Sequence, residues 1–185
     1  MNNYIMLKDF LSKEECASIL EFSKKLELKP GKVGSNSELL PVLRTSNVQF
    51  YDYDEEFPFL KSKLIQVFNE HVKVNGYEIN PDIDKFQFTE YEEGGHYTWH
   101  TDSSDIDEER YCSMVIQLND QYEGGLLEIE KPDNTVVRFE KGVGSLCLFV
   151  SYLMHRVTPV TAGVRYSLVN WFELKPKSSF KKTLI

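Results

Sequence analysis

A chain of 185 residues with 41% hydrophobic and 13% aromatic content can close one hydrophobic core and favours a single domain. Its 29 acidic against 21 basic residues leave a net charge of −8, which repels phosphate backbones and anionic bilayers and makes both poor partners. Cys16, Cys112 and Cys147 are odd in number and show no CxxC or Cys/His spacing, so they read as free buried thiols in a reducing compartment.

The opening MNNYIMLKDFL lacks the charged and apolar regions of a signal peptide. No apolar run reaches the roughly 18 residues of a membrane span, so a cytoplasmic protein is expected. Ser12 to Glu15 matches a capping box. Behind it Cys16, Ile19, Leu20, Ser23 and Leu26 fall on one helical stripe that ends before Pro30-Gly31. Val33 to Pro41 is polar and reads as a loop or flap. Val48 to Tyr53 alternates like a strand. A second helix is predicted from Phe59 to Val74, with Leu60, Leu64, Val67, Phe68 and Val72 inward and Asn75-Gly76 as its stop. His71 falls on the surface of that helix.

From Asp84 the period becomes two. Segments 85–91, 96–102, 111–118, 126–130, 135–139, 145–150, 155–160 and 164–173 are short, β-branched and aromatic, and divided by Gly, Pro and Asn turn signals. Eight short strands without intervening helices indicate a mainly β fold, a barrel or two-sheet jelly roll, with two or more N-terminal helices on its outside. Residues 1–80 are expected to be helical support and flap, 81–175 the β core and 176–185 a lysine-bearing tail, all within one domain.

Four histidines occur in the chain: His71, His96, His100 and His155. His100 and Asp102 stand at i and i+2, a spacing that projects both side chains from the same face of a strand. His155 opens a later predicted strand that a jelly roll can bring alongside. Two imidazoles and one carboxylate form the donor set of non-haem Fe(II) oxygenases. Either element alone is weak, since a surface His and a turn-forming Asp give the same dipeptide. Arg165 adds weight. It sits in a strand that otherwise reads as core, with Val164, Leu168, Val169, Trp171 and Phe172. A guanidinium directed into a barrel is costly unless it meets an anion, and a dicarboxylate cosubstrate would supply one.

The run YEEGGHYTWHTD at residues 91–102 resembles the signature of prolyl 4-hydroxylase-like 2-oxoglutarate oxygenases. So do YEGGLLE at 122–128, GSLCLF at 144–149 and HRVTPVTAGVR at 155–165. The likeness is greatest to the bacterial and phage branch of prolyl/lysyl-hydroxylase type, and covers residues 84–173 most strongly. It implies a double-stranded β-helix of cupin-like kind. It also implies Fe(II), 2-oxoglutarate and O2 as cofactor and cosubstrates, with ascorbate as an accessory reductant. His100, Asp102 and His155 would hold the iron. Arg165 would bind the C5 carboxylate of 2-oxoglutarate, with Tyr91 and Ser167 beside it. Trp171 and Tyr97 would wall the pocket. His96, by even spacing from His100, would stand at its rim or on the substrate side.

The resemblance implies hydroxylation of an unactivated C–H bond, coupled to decarboxylation of 2-oxoglutarate to succinate and CO2. Halogenating relatives replace the carboxylate ligand by a small residue, so retention of Asp102 favours hydroxylation. A prolyl residue of a protein or peptide is the expected substrate, with a free amino acid or other small molecule as the alternative. The acidic loop 103–110 and segment 33–44 would form lips that suit a basic or neutral peptide. Two rivals stand beside this reading. A cupin-type isomerase or lyase would tend to carry more histidines at the metal, and a scaffold without turnover would not need all four of these residues.

Overall fold

The computed structural model describes residues 3–33, 38–72, 77–79, 85–103 and 110–176. The chain runs from β1 (Tyr4–Leu7) and α1 (Lys13–Ser23) through β2 (Lys29–Pro30), β3 (Arg44–Thr45) and β4 (Asn47–Tyr51) to α2 (Phe59–His71). Thereafter the described elements are strands: β5 (Tyr77–Ile79), β6 (Phe86–Tyr91), β7 (His96–His100), β8 (Arg110–Gln117) and β9 (Tyr122–Gly124). They continue as β10 (Leu127–Glu130), β11 (Val136–Arg138), β12 (Leu146–Val150), β13 (His155–Val157), β14 (Val160–Gly163) and β15 (Arg165–Pro176).

The strands form a major antiparallel sheet in the order β1-β12-β8-β15-β6-β4-β2, with β5 beside β15. A minor sheet runs β11-β10-β13-β7-β3, and β9 pairs with β14. These are the two facing layers of a double-stranded β-helix.

Strand alternation sorts the major sheet's side chains between two environments. Phe86 and Phe88 of β6, Met114 and Ile116 of β8 and Leu168 and Phe172 of β15 pack with Cys16, Ile19, Leu60, Leu64 and Phe68 of the two helices. The intervening residues turn between the sheets, where Val115, Cys147 and Phe149 meet Leu127, Ile129 and Leu153. Near the N-terminal end of β15 this inner face is polar: Gln87, Thr89, Ser113, Gln117, Arg165 and Ser167 are all buried there. Buried polar groups at this density mark a site, because each must find a partner or a ligand.

Helix α1 starts where the capping box predicts. The Glu15 N–H donates to Ser12 Oγ and the Ser12 N–H to Glu15 Oε2. Lys63 of α2 donates to both oxygens of the same carboxylate at 2.7 and 2.9 Å, tying the helices together. The helix closes at Ser23, whose buried hydroxyl meets the Tyr53 hydroxyl at 2.6 Å, so Leu26 lies in the turn beyond it.

Helix α2 is shorter than expected. Val72 already has an extended backbone (φ −109°, ψ 112°), as suits a β-branched residue, and Asn75-Gly76 lies outside the described residues. A further correction concerns the first third, which holds three strands, β1, β2 and β3, besides the expected one at β4. The run YIML of β1 pairs with β12 from Tyr4↔Phe149 to Leu7↔Leu146; so short an apolar run carries no period that separates strand from helix. The expected strand 155–160 is divided into β13 and β14, and β9 is additional. All three cysteines are free and buried. Among the described residues no helix is long and apolar enough to cross a membrane.

Candidate metal centre

Strands β7 and β13 are neighbours in the minor sheet, and His155 lies opposite His100. Their rings are 4.1 Å apart between centroids. The Nδ1 of His100 is 2.8 Å from the Thr98 carbonyl and that of His155 is 2.9 Å from the Leu153 carbonyl. With Nδ1–H donating to a carbonyl, each ring presents its Nε2 lone pair to the centre. Asp102 follows β7 directly. Its N–H and that of Ser103 donate to the Ser151 carbonyl at 2.9 and 3.2 Å, which holds the carboxylate between the imidazoles. Asp102 Oδ1 is 3.6 Å from His100 Nε2, and Oδ2 is 3.4 Å from His155 Nε2. One ligand atom from each residue falls within a 4.8 Å cluster.

The electrostatics favour a cation. Burial, reinforced by His155, pushes the His100 imidazole down to about 4, so it is a neutral donor at physiological pH. Burial opposes ionisation of Asp102, but His155, His100 and the Ser113 hydroxyl override it and hold the carboxyl far below its usual range. Burial likewise opposes charge on His155, and the Asp102 carboxylate overcomes that and raises it. Ser113, reaching across from β8, donates to Asp102 Oδ2 at 2.7 Å, and Ser151 Oγ is 2.9 Å from Ser113 Oγ. Two imidazoles and an oriented carboxylate fit a divalent iron.

Arg165 opens β15 in the opposite sheet, level with Tyr91 of β6. It is 1% exposed. Nη1 donates to Ser167 Oγ at 3.2 Å, whereas Nε and Nη2 have no hydrogen-bond partner among the described residues. The Tyr91 ring lies 5.3 Å from the guanidinium carbon. Tyr122 flanks the same charge: burial raises its phenol and the Arg165 guanidinium opposes that rise. Gly125 leaves room for the arginine stem. At its φ of +57° an added Cβ would stand 3.0 Å from Tyr122 Cε2 and Val160 Cγ2 and 3.2 Å from Arg165 Cδ. A buried guanidinium with two unmatched nitrogens fits the far carboxylate of a dicarboxylate.

One cavity of 740 Å³ joins both features. His100, Asp102, His155, Tyr91, Arg165, Ser167, Tyr97 and Trp171 all line it. Trp171 stacks on Phe50 at 6.4 Å with Arg110 over its ring. His96 stands elsewhere, its ring nitrogens 3.0 Å from the Gly94 carbonyl and 3.4 Å from that of Val42. Even spacing places His96 on the face of His100, but the ladder slips. His155 and Val157 of β13 stand opposite His100 and Tyr97, so two steps on one strand match three on the other. That bulge reverses the alternation and brings Tyr97 onto His100, at 3.5 Å between stacked rings. Ser113, Ser151, Gln87 and Arg44 are site neighbours that the motif spacing does not mark, and Tyr122, which opens the run YEGGLLE, is given no role by the resemblance. A polar residue inside the apolar run of β8 is the one signal for Ser113. The acidic stretch 104–109 of the expected lip lies outside the described residues.

The sequence model of the 2OG-Fe(II) oxygenase superfamily matches residues 86–173, which span β6 to β15 and contain the metal cluster and Arg165. A PKHD-type hydroxylase of Aliarcobacter butzleri is 26% identical over 97% of this chain and 82% of that protein. One from Acidovorax ebreus is 30% identical over 54% of this chain, an alignment that spans 47% of the relative's length. Among solved structures, a prolyl hydroxylase of Trichoplax adhaerens, in complex with a hypoxia inducible factor oxygen degradation domain peptide fragment, superposes with a TM-score of 0.81. It is 21% identical, with 94% of this chain and 84% of that one covered. A prolyl-4-hydroxylase from Pseudomonas putida gives 0.72 at 20% identity, with 92% of each chain covered. Fold, sequence match and the paired histidines with their carboxylate agree: residues 86–173 match the 2OG-Fe(II) oxygenase superfamily, on the fold that the solved prolyl hydroxylases share.

Proposed function

We propose that this chain hydroxylates a prolyl residue in a protein or peptide, with one O2 and one 2-oxoglutarate consumed and succinate and CO2 released. The observation that carries this reading is the pairing, in one cavity, of the His100–Asp102–His155 cluster with the unmatched guanidinium of Arg165. His100, Asp102 and His155 would hold Fe(II). Arg165 would take the distal carboxylate of 2-oxoglutarate, with Ser167 and Tyr91 beside it. When bound, iron and 2-oxoglutarate together supply the activation of O2 that an unactivated C–H bond requires.

The protein's part is placement and exclusion. Ser113 holds Asp102 in one orientation and ionised. Neutral His100 keeps a free donor toward the centre. Arg165 would hold the distal carboxylate from the opposite sheet, across the shared cavity from the cluster. Val115, Leu127 and Val157 line the same space with apolar surface, which disfavours water beside the cluster. The names of the relatives, PKHD-type and prolyl hydroxylases, support the prolyl substrate. The buried free thiols support a reducing, cytoplasmic setting. Residues 1–185 are taken as one oxygenase domain.

The test is succinate release from 2-oxoglutarate by the Fe(II)-loaded protein with ascorbate, together with a search of proline-containing peptides for a mass gain of one oxygen atom. Turnover that disappears in His100→Ala and Asp102→Ala is expected. No succinate under any condition, with iron binding unchanged in both variants, would overturn the reading.

A further inference from the structure

We propose that Arg44, with Lys29 and Lys32 outside it, binds a carboxylate side chain of the substrate and selects a peptide whose reactive residue is flanked by Asp or Glu. This rests on the oxygenase reading above. Arg44 lies on β3 opposite Tyr97 of β7, and its guanidinium carbon stands 4.7 Å from the Tyr97 ring. Tyr97 in turn stacks on the imidazole of His100. A single aromatic ring therefore separates this cation from a residue of the metal cluster.

Arg44 is 9% exposed and is held in place by neutral partners. Nε donates to Ser46 Oγ at 2.8 Å and Nη1 to the Lys32 carbonyl at 3.3 Å. A Cβ at Gly31 would stand 2.6 Å from both Arg44 Nε and Ser46 Oγ, so glycine there leaves the space that the guanidinium fills. Among the described residues no carboxylate pairs with it. That contrasts with Arg138 and Arg156, which both meet Glu128. In a chain with an excess of acids, a fixed and nearly buried guanidinium without a carboxylate points to an anion from outside.

Position separates this cation from the one assigned to 2-oxoglutarate. Arg165 is sealed in the major sheet, whereas Arg44 belongs to the edge strand of the minor sheet and shares the cavity with exposed Lys29 and Lys32. Neither lysine forms an ion pair among the described residues. Positive charge thus continues from beside the metal cluster to the surface. Across the mouth, Phe50 is 45% exposed and stacks on Trp171, offering an apolar wall for a pyrrolidine ring or its neighbours. A cavity of 740 Å³ with charged groups spread along it suits an extended chain better than a free amino acid, whose lone carboxylate would use one of them. An acidic lip over residues 104–109 would demand the opposite substrate charge, so the two expectations divide on one measurement.

That measurement compares three fluorescent proline peptides of equal length, with Asp and Glu, with Asn and Gln, or with Lys beside the proline. Binding to the metal-free protein is read by anisotropy, and kcat/KM is read with the Fe(II)-loaded enzyme. The acidic peptide is expected to lead its amide counterpart by about tenfold or more in both readouts at low salt, as charge-assisted hydrogen bonds to a fixed guanidinium imply, and the lead should shrink as salt rises. In Arg44→Gln the ratio should fall toward one. Comparing two peptides on one variant cancels any loss of folding or iron. A Lys29→Gln/Lys32→Gln double variant, remote from the cluster, should lower the same ratio if Arg44→Gln is not recovered folded. Equal treatment of the acidic and amide peptides, preference for the lysine peptide, or a ratio unchanged in the variants would overturn the proposal. Displacement of the acidic peptide by free L-proline at equal concentration would overturn its peptide part. Selective binding of the acidic peptide with no succinate formed would uphold Arg44 and remove the oxygenase reading instead.

Discussion

Replacing Arg165 by methionine separates what the residue does for the fold from what it does for a ligand. The guanidinium is 1% exposed, and among the described residues one of its three nitrogens has a hydrogen-bond partner, Ser167 Oγ. A buried charge so poorly matched is a burden on the ligand-free protein, and an apolar side chain of similar length relieves it. Such exchanges are neutral or stabilise by about 1–4 kcal/mol, which for a chain of this length corresponds to a Tm higher by roughly 2–4 °C per kcal/mol. The ligand tells the opposite story. Two charge-assisted hydrogen bonds to a carboxylate at ~1.5–3 kcal/mol each amount to a loss of about 10²- to 10⁴-fold in 2-oxoglutarate affinity. Thermal denaturation with and without 2-oxoglutarate and a divalent ion reads both effects. Wild-type protein at about a hundredfold excess over Kd should gain ~2.7 kcal/mol from the ligand. Arg165→Met should start at or above the wild-type Tm and gain almost nothing. A ligand-free Tm several degrees below wild type would show that Arg165 has a structural partner, and an undiminished 2-oxoglutarate shift would show that the anion binds elsewhere; either result refutes the reasoning.

Ser113→Ala removes the hydroxyl that holds Asp102 Oδ2 and should weaken Fe(II) binding about 10- to 100-fold while the ligands stay in place; a metal titration showing wild-type affinity would contradict it. Glu128 is buried between Arg138 and Arg156, whose hydrogen bonds outweigh the opposing effect of burial and lower its carboxyl below the ordinary 4.5. Its contribution is therefore complete above that ordinary value and is lost as pH falls through the lower folded value. Glu128→Gln should melt below wild type at neutral pH, by about 1–3 kcal/mol in stability. In metal-free samples the gap should close on acidification below 4.5, and a gap independent of pH would count against the ion-pair account.

The β core and the metal cluster were readable because they rest on local rules: period-two alternation, turn glycines, and an i, i+2 spacing, although the expected strand 96–102 ends at His100 and Asp102 lies in the bend just beyond it. Those rules fail where the ladder departs from them. His96 and Tyr97 exchange faces because β7 carries a bulge, and a bulge is set by the partner strand, which no spacing within β7 records. Strand β1 was missed because its four apolar residues acquire a state only against β12.

The two unpaired arginines show where reading residues in context stops. Arg165 stands among Val, Leu, Trp and Phe, so its interior position was evident from its neighbours and its need for an anion followed. Arg44 ends the 33–44 segment that reads as a lip of the site, where a cation has every reason to be solvated. Only the pairing of β3 with β7, the space left by Gly31 and the ring of Tyr97 remove it from water. Both sites pose the same question, a guanidinium that no carboxylate of the described residues answers. The first is posed by strand composition and the second by tertiary structure, and that difference explains why the sequence implies the cosubstrate while the charge proposed for the substrate rests on the fold alone.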